Sequence, residues 1–368
     1  MGFNIDSAST LANGTYADVV MGVSSNSLGA TRSGVVNGYV WKLLPGAGSA
    51  SNWGLQLANT TITSPTRQYT SDFLDNVDLT LNGGALVIDQ SVVNNNIKLS
   101  ASTTNQIDTA GNTATFSGVL SDATTGGTIT FTGAGTAILT GANSYTGSTT
   151  VDAGTSLQIG NGGATGTLGS GAVVDNGALV FNRSNTLTVA NAISGSGTLT
   201  QAGLGTTILT GANTYTGDTT ISAGTLQIGN GGATGSLGAG AVVDNGALIF
   251  NRANTITVAN IISGSGTLNQ AGAGTTILTG ANTYNGATVI TAGTLQIGNG
   301  GLTGSIGASP VIDNGTLAFN HADTIVFSNV ISGSGAVTQA GMGTPPPRSF
   351  AMSMAPSAAI RSMDPRTD

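Results

Sequence analysis

The sequence predicts an all-β protein, a solenoid of stacked parallel strands with roughly 23 residues per coil. A block of about 69 residues occurs three times in succession and starts at Gly135, Gly205 and Gly274. Within each block, short apolar runs are separated by Gly, Asn or Asp-Asn-Gly, which is a rhythm of strands and turns. The 368 residues include 58 glycines, and the chain is rich in Thr, Val and Ile, which favour strands.

The three copies also indicate which side of each strand is buried. Large apolar residues are kept at positions i and i+2, as in Leu248 and Phe250, whereas the residue between them drifts from Val180 to Ile249 to Ala318. Side chains alternate between the two sides of a pleated strand, so the flanking residues are predicted to point inward. In the TLQIG run, Leu226 and Ile228 are predicted to point inward and Gln227 outward.

The repeat length divides naturally into three coils, each about 4.8 Å from the next. Equivalent residues would then stack into structural ladders that stabilise the array. The predicted ladder residues are Tyr145, Tyr215 and Tyr284, then Asn161, Asn230 and Asn299, and finally Phe181, Phe250 and Phe319. A propeller and a row of β-sandwiches are the alternatives, but aromatic residues form only 5% of the chain and the glycine content fits tight coils better.

Four regions are predicted along the chain. Residues 1–79 form a non-repetitive, β-rich segment that contains both tryptophans, and residues 80–134 form a degenerate half-repeat of the solenoid. Residues 135–343 hold the three good copies. Residues 344–368 contain Pro and Met, break the pattern, and are expected to be a disordered tail. A sharper hypothesis is that the reading frame has left the repeat by truncation or frameshift.

Composition narrows the classes of function. The net charge is -7 and the nine Lys and Arg residues are scattered, which argues against nucleic-acid binding. The sequence contains no apolar run of about 18 residues, the pattern that predicts a transmembrane helix. The first residues lack the features of a secretory signal, and the absence of cysteine excludes disulfides and thiolate metal sites.

The motif LTGANTYTGDTTISAGTLQIGNGG resembles the autotransporter passenger-associated strand repeat, and the other two copies match it closely. The resemblance covers about residues 80–343. It implies a right-handed parallel β-helix in the passenger of an autotransporter that a Gram-negative bacterium secretes by the type V route. Such proteins carry an N-terminal signal and a C-terminal outer-membrane barrel. This sequence shows the pattern of neither, so we expect the chain to be an internal fragment or a truncated member.

The candidate chemical groups are few. Asp175, Asp244 and Asp313 each lie in an Asp-Asn-Gly stretch, which is a strong turn signal and a weak indication of catalysis. Arg183 and Arg252 are replaced by His321 in the third copy, so we interpret His321 as a drifted, outward position. The glycine-rich GNGGATG runs lack the aspartate of calcium-binding β-rolls. We therefore predict no catalytic, metal-binding or cofactor-binding residue and no cofactor.

The resulting functional hypothesis is a non-enzymatic passenger segment at the cell surface, in the outer membrane or outside the cell. It would act as a rigid stalk or adhesin whose polar face of Thr, Asn and Gln contacts host or matrix glycans, proteins or other cells. Nucleic acid is not an expected partner, and membrane contact is expected only through a barrel. The alternatives are a β-helix that binds or cleaves polysaccharide, and a truncated fragment with no function of its own.

Overall fold

The computed structural model describes residues 78–101 and 105–343, together with the short segments 3–4, 20–21, 33–36, 39–43, 53–57, 61–63 and 67–70. Regular structure in these residues is all β. None of the described residues belongs to a helix with the length and apolarity of a membrane span. The predicted tail at 344–368 and most of the predicted segment 1–79 lie outside the described residues, so those expectations stay predictions.

Parallel strands stack into a β-solenoid of about 13 turns, which confirms the predicted fold class. The coils are unequal in length, because Leu79 pairs with Ile97 in a short coil, whereas Thr149 pairs with Val173 in a long one. The predicted coil length lies towards the upper end of this range. Most coils inside the three copies are shorter than the longest, as the pairing of Thr206 with Thr225 illustrates.

The strands are distributed over three faces, which we name first, second and third. The first face contains Arg67–Tyr69, Ala85–Val87, Asn105–Asp108, Ile129–Thr132, Thr149–Val151, Val173–Asp175, Ile193–Ser194, Ile256–Val258, Thr275–Leu278, Thr294–Gly301, Thr316–His321 and Ala336–Gln339. The second contains Val92–Val93, Thr113–Phe116, Thr136–Leu139, Ser156–Ile159, Ala178–Phe181, Thr198–Gln201, Thr219–Ile221, Val242–Asp244 and Ile262–Ser263. The third contains Thr61–Thr63, Leu79–Asn82, Ile97–Leu99, Leu120–Asp122, Leu187–Val189, Thr206–Leu209, Thr225–Ile228, Ala247–Phe250, Thr267–Gln270, Thr288–Ile290, Val311–Asp313 and Ile331–Ser332.

The remaining strands pair antiparallel and precede the solenoid in the chain. They are Phe3–Asn4 with Val20–Met21, and Ser33–Val36, Tyr39–Leu43 and Trp53–Leu57 in a three-stranded sheet.

In some coils a face has an extended segment in place of a regular strand, and this segment still forms backbone hydrogen bonds with the neighbouring coil. On the first face, the backbone N–H of Thr214 donates to the carbonyl of Ile193 at 2.8 Å, and that of Ala239 donates to Tyr215 at 2.8 Å. On the third face, Ser144 donates in the same way to Leu120 at 2.9 Å. Each face is therefore continuous through the repeats.

The registers correct the predicted division of the repeat into three coils. From Thr198 to Ser263, one repeat contains eight strands and two extended segments, 213–215 and 236–239. Ten segments laid on three faces make three coils and one further face. The next repeat consequently starts one face later: Thr198–Gln201 lies on the second face, Thr267–Gln270 on the third and Ala336–Gln339 on the first.

The interior is one continuous apolar core, and side chains along each strand alternate between this core and the surface, as predicted. In Ala247–Phe250, Leu248 and Phe250 are fully buried, while Ile249 between them is partly exposed. Thr225–Ile228 follows the same rule, with Leu226 and Ile228 buried and Gln227 partly exposed. One hydrophobic cluster extends from Ile62 to Phe319, so the coils share one core.

Candidate functional surface

The three phenylalanines predicted to form a ladder are buried, but they do not stand in one column. Phe181 pairs with Ile159 and Gln201 on the second face. Phe250 occupies the equivalent place on the third face and Phe319 on the first. Because each repeat starts one face later, equivalent side chains follow a spiral, and each inward column combines different positions of the repeat. The predicted stacking of equivalent residues is therefore wrong in its geometry.

The three tyrosines follow the same spiral and are fully buried. The hydroxyl of each shares a hydrogen bond with a threonine four residues later: Tyr145 with Thr149 at 2.7 Å, Tyr215 with Thr219 at 2.8 Å, and Tyr284 with Thr288 at 2.6 Å. Burial raises the pKa of all three phenols, that of Tyr284 to about 12. These hydroxyls stay protonated at physiological pH and satisfy each other inside the core.

Asn161, Asn230 and Asn299 lie on the surface, in the loops formed by residues 160–166, 229–235 and 298–304. We call these the glycine loops. In the first, Gly160, Gly162 and Gly166 have φ of 83°, 78° and 101°, a region that residues with a Cβ rarely adopt. The first two glycine loops follow strands on the second and third faces, and the third begins within Thr294–Gly301 on the first face, so the loops project from different corners of the solenoid.

A cationic or imidazole side chain holds each glycine loop. Arg183 donates to the carbonyl oxygens of Gly166 and Ala164, and Arg252 donates in the same way to Gly235 and Ala233. In the third copy, a ring nitrogen of His321 lies 3.0 Å from the carbonyl oxygen of Gly304. We call these three side chains the loop clasps.

The position of His321 corrects the sequence interpretation. His321 is 3% exposed rather than outward, and its other ring nitrogen lies 3.2 Å from a carboxylate oxygen of Asp323. Arg183 and Arg252 bond Asn185 and Asn254 at the corresponding place, each at 3.0 Å. The change from Arg to His therefore preserves the contact with the carbonyl of the last glycine in the loop, one of the two loop carbonyls that each arginine bonds.

The three aspartates of the Asp-Asn-Gly stretches are turn residues, and they are also buried. One carboxylate oxygen, Oδ1, accepts the N–H of Gly177, Gly246 or Gly315 at 3.1, 3.0 and 3.0 Å. Burial raises the pKa of Asp175 and Asp244 to about 6 and also raises that of Asp313, while backbone hydrogen bonds oppose the shift. Sequence reasoning missed this burial, because an Asp before Asn-Gly ordinarily lies in an exposed turn.

Between residues 129 and 300 the outward positions of the strands form uncharged columns. On the second face, Thr115, Ile138, Gln158, Val180, Thr200, Thr220, Val243 and Ser263 follow one another in register. Between residues 129 and 300 the charged side chains are Asp152, Asp175, Arg183, Asp218, Asp244 and Arg252. Two of these aspartates are buried and both arginines hold loops, so the sheet faces themselves present neutral polar and aliphatic groups.

In residues 78–101 and 105–343 no group of three or more His, Asp or Glu side chains is placed to hold a metal ion. The buried hydroxyls of the tyrosines and threonines bond each other. What the geometry presents to solvent is a long neutral surface with projecting loops. Fold and surface together define the class: a repetitive parallel β-solenoid.

Comparison with known proteins places this solenoid more narrowly. Residues 129–158, 199–228 and 268–297 match the passenger-associated-transport-repeat. Each match begins at the first strand of a repeat and ends at the TLQI-type strand, so it spans more than one coil. The chain thus carries three passenger-associated-transport-repeats on a β-solenoid, and the resemblance to autotransporter passengers is confirmed.

A relative among curated proteins points in the same direction. Over 47 residues the chain is 49% identical to the adhesin BmaC autotransporter of Brucella suis biovar 1 (strain 1330). The similar stretch covers 13% of this chain and 1% of that protein, so the chain spans a very small part of the relative's length. No solved structure is significantly similar to the chain.

Proposed function

We propose that the chain is a non-enzymatic passenger segment that forms a rigid rod at the cell surface or outside the cell. The observation that carries this proposal is the continuity of three parallel faces around one apolar interior through all the repeats. A solenoid of this kind resists bending, because every coil is hydrogen-bonded to both neighbours along three faces. Its about 13 turns give a length of roughly 60 Å at ~4.8 Å per turn.

Small-angle X-ray scattering of the full chain tests the rod. We expect a pair-distance distribution with the long tail of an elongated particle. A symmetric distribution typical of a sphere would contradict the proposal. Antibody labelling of intact, non-permeabilised cells tests the location, because a segment held inside the cell stays unlabelled.

We further propose that the uncharged faces make the rod adhesive towards glycans or proteins of the host, the matrix or other cells. Neutral polar side chains bind neutral partners without the desolvation cost of charges. Beads coated with the chain are expected to adhere to a matrix or to cells. Thr220→Arg on the second face should reduce adhesion if that face binds, and Gln227→Arg on the third face is its matched control. If coated and bare beads adhere equally, the adhesive role is wrong and only the proposed role as a rigid stalk stands.

The second candidate is a β-helix that acts on polysaccharide. Glycoside hydrolysis normally needs two carboxylates about 5–10 Å apart beside the bound sugar. The repeated aspartates are buried and lie one per repeat, which favours the stalk instead. Incubation of the purified chain with a panel of polysaccharides is expected to release no reducing ends, and release by the chain would favour the enzyme.

A further inference from the structure

The buried aspartates stand in inward columns of unusual composition. Asp175 pairs with Val151 on one side. On the other side it meets the 195–197 stretch, where the N–H of Gly197 donates to the Asp175 carbonyl at 2.7 Å. The N–H of Thr216 then donates to Gly195 at 2.9 Å and places Tyr215 in the next coil of this column.

The second copy repeats this Asp–Gly–Tyr column on the next face. Ile221 pairs with Asp244, and the N–H of Gly266 donates to the Asp244 carbonyl at 2.7 Å. The N–H of Asn285 donates to Gly264 at 2.8 Å, which brings Tyr284 into line. Each column therefore joins the aspartate of one repeat to the tyrosine of the next.

Each carboxyl group in these columns is only half satisfied. Asp175 and Asp244 are 0% exposed and Asp313 is 2% exposed. Oδ1 accepts the N–H of the glycine two residues later. Within the described part of the chain, Oδ2 of all three has no hydrogen-bond partner. A charge on such a carboxyl is costly because burial removes it from solvent, and the backbone N–H groups of the glycine and of Leu179, Leu248 or Leu317 offset that cost only in part.

The groups that face these carboxyls do not neutralise them. The phenol of Tyr215 lies two coils from Asp175 and that of Tyr284 two coils from Asp244, and each feels the charge of its aspartate. Asp152 follows Val151 in the preceding coil and adds a partly exposed carboxylate diagonal to Asp175. Uncharged Ser222 and Thr291 hold that place beside Asp244 and Asp313.

We propose that the solenoid becomes more stable in mildly acidic surroundings, because Asp175, Asp244 and Asp313 take up protons there while the chain stays folded. The direction follows from linkage. Burial raises the folded pKa of Asp175 and Asp244 from 3.8 to about 6, so the folded state binds protons more tightly than the unfolded state does. The destabilisation is fully present above pH 6 and is relieved as the pH falls through about 6 towards 3.8.

The expected size of the response follows from the same values. For a folded pKa of about 6 and an unfolded pKa of 3.8, lowering the pH from 8 to 5 raises the folding equilibrium constant about tenfold per aspartate. Asp175 and Asp244 together give about 100-fold over this range. The direction is opposite to that of ordinary acid denaturation, in which ion-paired carboxylates lose stability as they are protonated.

Guanidinium unfolding of the full chain at pH 8, 7, 6 and 5, followed by circular dichroism, tests the proposal. The parent is expected to grow more resistant as the pH falls. The triple variant Asp175→Asn, Asp244→Asn, Asp313→Asn should lose most of this response. The control is Asp218→Asn, which changes an exposed carboxylate outside these columns and should keep the parent's response.

A second measurement keeps the test decisive if the triple variant fails to fold. Infrared spectra of the folded parent are expected to show the carbonyl band of a protonated carboxylic acid growing between pH 7 and 5. A parent whose stability is constant or falls between pH 8 and 5 would overturn the proposal. So would loss of the response in the control variant, or a carboxylic acid band that appears only below pH 4.

Discussion

Replacement of Phe250 by alanine gives the most direct test of which side of each strand is interior. Phe250 is 0% exposed and lies between Ile228 and Gln270 of the adjoining coils. Coils one strand spacing away on each side cannot collapse into the space of a lost ring, so we expect the substitution to cost about 3–5 kcal/mol. The matched control is Ile249→Ala, one residue earlier on the outward side, which should cost about 1 kcal/mol or less.

The assay is urea unfolding of the full chain, followed by far-ultraviolet circular dichroism. Repeat arrays are stabilised by local and nearest-neighbour terms, so a defect in one coil can unfold part of the array first. Hydrogen exchange with mass spectrometry should therefore accompany it and should show the loss of protection centred on residues 225–270. If Ile249→Ala costs as much as Phe250→Ala, the assignment of inward and outward sides is wrong.

Three further predictions concern the turns, the loop clasps and the buried hydroxyls. Gly264 has φ of 104°, and a Cβ there would clash with the Asp244 carbonyl, so Gly264→Ala should cost at least about 2 kcal/mol of stability in thermal unfolding. The control is Gly232→Ala, where a Cβ meets open space and the change should be nearly neutral. Equal effects of the two substitutions would show that Gly264 is not under this constraint. Arg252→Ala should speed amide hydrogen exchange in residues 229–235, because the loop carbonyls lose their donor. Arg252→His should keep part of the protection, since His321 contacts the equivalent carbonyl in the third copy. Unchanged exchange in Arg252→Ala would mean that Arg252 does not hold the loop. Tyr215→Phe should lower the free energy of unfolding by about 1–2 kcal/mol, because the Thr219 hydroxyl loses its hydrogen bond. Adding Thr219→Val should recover part of that stability. Strictly additive effects of the two substitutions would contradict the pairing.

The fold was predictable because alternation along a strand is a local property that three diverged copies make visible. Leu248 and Phe250 are constrained by the core, whereas Ile249 is free to change, and the burial pattern agrees. The number of coils per repeat was not predictable in this way. Segments 213–215 and 236–239 cross a face without forming a regular strand, so their apolar pattern gives no signal to count.

The surface groups were predicted less well, because their roles depend on contacts between coils. Arg252 and His321 occupy equivalent positions of the repeat, but the sequence does not show their common role, which is to bond the carbonyl of the last glycine in the loop. Asp175 looks like an ordinary turn residue, and its burial depends on the 195–197 stretch that lies one coil away. Spacing within one copy carries no information about a neighbour that the next coil supplies.

The offset of one face per repeat couples length to direction. Adding or deleting one copy would lengthen or shorten the rod by about 16 Å, since three and a third coils are spaced at ~4.8 Å. It would also turn everything beyond that point by one side of the prism, like a screw advanced by a third of a turn. Only changes of three copies at a time would restore the original heading. In a gene with near-identical tandem copies, recombination would therefore re-aim the distal surface as well as extend it.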